Sequence, residues 1–116
     1  MNLLIKLSLT LNIVVLVPVC AGLLRGADWT LAAYGPPSPA RGILLSIYLA
    51  ILLVSVGLLL KPVPAMVAAL LIVQIAYKVT TPFTVGTLAN PVVISNLAIA
   101  AFHAVTLRAV LARSVL

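Results

Sequence analysis

Four apolar runs, separated by short polar breaks, set the pattern of the chain. The first, Leu3 to Leu24, is 22 residues long and is interrupted only by Lys6, Ser8, Thr10 and Asn12. A hydrocarbon core of about 30 Å needs about 20 helical residues, so this run is long enough to span one. Gly42 to Leu60 holds no charge and only Ser46, Tyr48 and Ser55 as polar groups, which makes it the cleanest of the four. Ala65 to Thr80 is shorter and carries Lys78 near its end, and Val92 to Leu111 closes with Arg108 and Arg113 nearby. The pattern predicts an all-α integral membrane protein with four transmembrane helices over approximately 3–24, 42–60, 64–81 and 91–111.

The breaks between the runs follow from backbone chemistry. Pro18 kinks the first helix, a defect tolerated in lipid when neighbours satisfy the freed carbonyl. The stretch Gly35-Pro36-Pro37-Ser38-Pro39 favours extended geometry and forms a Pro-rich first extramembrane loop. Residues 27–34 before it have the makings of a short helix lying in the interfacial plane. Lys61-Pro62-Val63-Pro64 is too short for anything but a tight turn between antiparallel helices. Thr80-Thr81-Pro82 predicts the end of the third helix, because proline disfavours helix in the residue before it. Asn90-Pro91 reads as an N-cap followed by proline at the first helical position. No internal repeat is visible, and the chain reads as one transmembrane domain, an up-down bundle over 1–116.

Composition narrows the class further. Of 116 residues, 65% are hydrophobic and 7% charged, against about 25% charged in a soluble domain. That excludes an ordinary soluble enzyme and a disordered tail. Seven Lys and Arg against one acidic residue give a net +6, but the basic residues are scattered singly at the ends of apolar runs. This suits contact with lipid headgroups and lacks the basic stripe of a nucleic-acid binder. Trp29, Tyr34, Arg41, Lys61 and Arg108 are the predicted interfacial anchors. A single cysteine, Cys20, excludes an intrachain disulfide, CxxC chemistry and a cysteine zinc site.

The positive-inside rule favours both termini in the cytoplasm of a bacterial inner membrane. Lys6, Lys61, Arg108 and Arg113 then lie inside, against Arg25, Arg41 and Lys78 outside. Val19-Cys20-Ala21 after Pro18 resembles a signal-peptide cleavage site. The apolar run exceeds the 7–15 residues of an ordinary signal core, however, which predicts an uncleaved first helix.

Polar groups inside the spans are the candidate chemistry, since they mark sites by default. At 1.5 Å of rise per residue, Tyr48, Gln74, Lys78 and Asn96 fall near the outer helix ends and form a candidate polar pocket. Lys78 there offers a positive charge to an anionic or carbonyl-bearing ligand. Asn12 and His103 lie deeper, at matched heights, and are predicted to hydrogen-bond across the bundle. The competing reading makes the uncharged members interhelical glue, at about 0.6 kcal/mol each, with Lys78 snorkelling to the headgroups. His103 is the only histidine, and one imidazole is not a metal site. Asp28 beside Arg25 or Arg41 offers a loop-shaping salt bridge. Alanines at 65, 68, 69 and 76 and at 98, 100, 101 and 104 give the last two helices small-residue surfaces that permit close approach.

One Asp, no Glu and one His leave no acid–base pair and no metal cage. No catalytic residue, metal or cofactor is therefore predicted. The expected role is a non-catalytic accessory or structural subunit, packing against a larger membrane complex or self-associating, with the bilayer and a membrane-protein partner or second copy as its contacts. The alternative is a small oligomeric transporter or channel-like protein with an outward-facing pocket around Lys78. In length and four-span layout the chain resembles the small multidrug resistance exporters, and also phage holins. The exporters depend on a carboxylate in the first helix, and here that helix has none, so proton coupling of that kind is not implied.

Overall fold

A computed structural model describes residues 2–113, which form five helices: α1 (Asn2–Arg25), α2 (Asp28–Tyr34), α3 (Pro39–Leu60), α4 (Pro64–Val85) and α5 (Pro91–Arg113). All but α2 are long and apolar enough to cross a membrane. Contacts divide the chain into two compact units. One joins the start of α1, through Ser8, with the described residues from Lys61 onward; the other comprises Leu9–Leu60.

Helix ends follow local chemistry, and two differ from the sequence expectation. α3 begins at Pro39, three residues before the apolar run. Ser38 caps it, its Oγ accepting the Arg41 N–H at 3.1 Å, and Pro39 sits at the first helical position, where a missing N–H costs nothing. The last proline of the loop thus starts a helix rather than prolonging an extended segment. The same arrangement at α5 was predicted and is present: Asn90 Oδ1 accepts the Val92 N–H at 2.8 Å, with Pro91 at the first position.

α4 runs past its expected end at Thr80, through Pro82, to Val85. Proline at 82 cannot donate to the carbonyl of Lys78 four residues back. The Thr81 hydroxyl donates to that carbonyl instead, at 2.7 Å. With the orphaned acceptor satisfied from within the turn, the helix continues. It stops at Gly86, whose φ of 85° and left-handed conformation let its N–H reach Pro82 O at 3.1 Å.

Each long helix buries one narrow stripe at spacings of three and four residues. In α5 the stripe is Val93, Asn96, Ile99, Ala100, His103, Thr106 and Val110, and in α4 it is Val67, Ala68, Leu71, Gln74 and Lys78. Polar groups sit on these buried stripes, whereas Leu3, Val14, Leu53, Val73, Phe83 and Ile94 stand exposed. Buried polar groups together with large exposed apolar side chains depart from the pattern of water-soluble domains.

Within the unit formed by Leu9–Leu60, Asn12 Nδ2 donates to Ser55 Oγ at 3.0 Å. α2 closes on α1 at Gly22, where an added Cβ would stand 2.5 Å from the Trp29 indole. Only glycine permits that approach.

Candidate functional site on the α4–α5 hairpin

α4 and α5 are joined by residues 86–90 and pack against each other, which leaves only an antiparallel pairing for so short a link. Heights along the pair can be counted from the connection at 1.5 Å per residue. Lys78 and Asn96 lie roughly 10 and 8 Å from it, and Gln74 and His103 roughly 17 and 18 Å. The seam therefore carries two polar layers. The extension of α4 to Val85 puts Gln74 level with His103, not in the Lys78 layer expected from sequence.

The deeper layer continues into the start of α1. His103 Nδ1 is 3.1 Å from Ser8 Oγ, and Ser8 Oγ is 2.7 Å from Thr106 Oγ1. All three residues are fully buried. A hydroxyl both donates and accepts, so Ser8 links the imidazole to the threonine in one chain of hydrogen bonds. Ser8 and Thr106 were not singled out by sequence. Thr106 shares the three-and-four spacing of Asn96 and His103, and that spacing is the signal that points to it.

Gln74 stands apart from this network. It is 0% exposed, and neither its amide nitrogen nor its amide oxygen has a hydrogen-bond partner. A buried polar group left unsatisfied costs about 1–3 kcal/mol, and Gln74 makes no side-chain hydrogen bond among the described residues. One turn further along the same face, Lys78 is 5% exposed. Its stem is buried along the helix face. Its ammonium lies 4.9 Å from the centre of the Tyr77 ring, and it makes no hydrogen bond or ion pair among the described residues. No acidic side chain exists in its unit, because Asp28 is the only one in the chain.

The chain matches no protein-family model, and comparison with curated proteins and with solved structures found no significant match. Chemistry alone must therefore carry the reading of the seam. Two donors one turn apart, an ammonium and a carboxamide, share a helix face with no hydrogen-bond partner among the described residues. Asn96 on the opposing helix is level with the ammonium. Such a set suits an anionic or carbonyl oxygen.

The remaining candidates fall elsewhere. Tyr48, expected in the same pocket, belongs to the Leu9–Leu60 unit. There its hydroxyl accepts from Tyr34 at 3.4 Å, and the two rings meet edge to face with centroids 6.1 Å apart. Asn12 also lies in that unit, so an Asn12–His103 bond would join the two units and stays an expectation. Trp29, Lys61 and Arg108 are exposed, and Tyr34 is half-buried.

Arg41 departs from the anchor expected of it. It is 6% exposed and folded back on the backbone. Nη1 donates to Gly35 O at 2.7 Å, and Nη2 donates to Thr30 Oγ1 at 2.8 Å and to Leu23 O at 3.5 Å. One guanidinium thus ties together the end of α1, the α2 helix and the loop after it. No ion pair joins Asp28 to Arg25 or Arg41; the loop is shaped by Arg41 and neutral acceptors, without the carboxylate.

Proposed function

We propose that the chain is a small multi-pass protein of the bacterial inner membrane, with both termini cytoplasmic. In this reading it acts without catalysis, as an accessory subunit that packs against a larger membrane complex or its own copies. The observation that carries it is the outer face of the α4–α5 pair. Ala65, Ala69 and Ala76 of α4 and Ala98, Ala101 and Ala104 of α5 are exposed, beside large apolar side chains such as Val73 and Ile94. Small residues four apart let a second helix approach closely, and lipid-surrounded helices associate largely by such packing. Gln74, Lys78, Asn96, His103 and Thr106 are buried on the inner faces of the pair, which suits a hydrocarbon solvent. Cross-linking and size measurement in mild detergent test the reading. Leucine at both Ala65 and Ala69 should abolish the associated species while helix content stays unchanged. A wild-type chain that is monomeric, with no co-purifying membrane protein, would count against it.

A second reading has its own observation, the unsatisfied Gln74 beside the unpaired Lys78. It makes the seam a binding site for an anionic or carbonyl-bearing solute in a small oligomeric transporter or channel. Flux from liposomes is the test. Lys78→Ala should reduce wild-type flux, and equal leak through both would end this reading.

A further inference from the structure

Arg25 closes α1 and Arg41 lies in the first turn of α3. Both line an open groove of about 320 Å³ between these two helix ends, within the Leu9–Leu60 unit. We propose that this groove binds a phosphate group, and specifically the phosphate of an anionic lipid headgroup. The lipid as source rests on the membrane reading above; the phosphate chemistry does not.

Charge and donor supply argue for it first. A guanidinium has five N–H donors. Arg41 uses three in the contacts to Gly35, Thr30 and Leu23, all of them neutral acceptors. Arg25 uses only its Nε–H, on Ala21 O at 3.3 Å. Both charges are therefore uncompensated, and the groove lining includes no acidic residue. Six N–H groups from the two side chains remain for an external acceptor. The fixed fork of arginine matches the oxygens of a phosphate in paired hydrogen bonds.

Position argues for it next. Arg41 is held in place by its three internal contacts, so its remaining donors are preorganised. Arg25 is exposed and free to close over a ligand. The N-terminal turn of α3 adds the positive end of its dipole to the same side. The groove wall is apolar where Leu24 and Leu45 line it, and those residues continue into the apolar runs of α1 and α3. A headgroup phosphate at the arginines would therefore send its acyl chains along surfaces of matching polarity. Gly42 completes the wall and leaves room, since a Cβ there would meet nothing within 4 Å.

The test uses the full chain in mild detergent, with native mass spectrometry of lipid adducts. Phosphatidylglycerol is the anionic probe, phosphatidylcholine the zwitterionic one and inorganic phosphate the free anion. Wild type should retain one phosphatidylglycerol in preference to phosphatidylcholine. Arg25→Gln should weaken retention about fivefold, the value of one basic side chain at an anionic surface. Gly42→Leu should block it by filling the groove, and neither change touches a buried contact of the fold. Displacement of the lipid by millimolar inorganic phosphate would assign the site to the free anion; resistance would assign it to the headgroup. Equal retention of both lipids, no retention of any probe, or retention unchanged in both variants would overturn the proposal.

Discussion

Each unit of the molecule buries one cation, and the two are treated in opposite ways. Arg41 is surrounded by acceptors: two backbone carbonyls and a threonine hydroxyl, each in line with a donor of its planar fork. Lys78 has no such acceptors, and the carboxamide one turn away is unsatisfied as well. A buried charge with matched hydrogen bonds holds a fold together, whereas one without them weighs against it. The contrast teaches that burial alone does not distinguish a structural ion from a functional one. The partners do. Arg41 clamps its unit through three internal hydrogen bonds, whereas Lys78 makes none among the described residues.

The sharpest way to break this comparison is to remove the clamp. Arg41→Ala removes the guanidinium's bonds to Gly35 O and to the Thr30 hydroxyl, which keeps its own bond to Ala27 O, and hydrogen bonds to charged groups contribute about 1.5–3 kcal/mol each. A loss on the order of 3 kcal/mol is expected in thermal unfolding in detergent, and lysine at this position should not restore it, because an ammonium cannot span the three acceptors. Next in size is Gly22→Ala. The added methyl meets the Trp29 ring, and because that ring is half exposed and able to shift the cost should lie at the lower end, about 1 kcal/mol. Trp29 is the only tryptophan, so its emission should shift in step with the destabilisation.

Smaller effects are expected in the other unit. Ser8→Ala and Thr106→Val should each cost about 0.6 kcal/mol, the average for a hydrogen bond between membrane helices. The double variant should lose less than the sum, because both changes break the same 2.7 Å contact. The smallest expected effect is the most informative. Lys78→Met and Gln74→Leu should leave unfolding unchanged or raise the transition, since each removes a polar side chain with no hydrogen-bond partner among the described residues. A loss comparable to that of Arg41→Ala would make Lys78 structural and erase the contrast.

The two helix-end differences show where sequence reasoning stops. Ser38-Pro39 and Asn90-Pro91 carry the same capping signal, yet only the second leads directly into an apolar run. At Ser38-Pro39 the preceding prolines masked it. At Pro82, the rule that proline ends a helix is overridden by a neighbouring hydroxyl. Thr81 can supply the missing donor only when the helix is already formed around it, so the override is invisible to propensity.

The order and approximate placement of four long apolar helices were legible from the sequence alone, because hydrophobic run length is a one-dimensional property. So were the short helix over residues 28–34, the Asn90 cap and the presence of ionisable groups on helical faces, all of which depend on neighbours a few residues away. Partners in space were not. That Asn12 meets Ser55, that Ser8 links His103 to Thr106, and that Arg41 turns inward while Lys78 is left unpaired depend on residues tens of positions apart. Spacing along a helix says which face a side chain occupies; only packing decides which donor or acceptor waits on the other side.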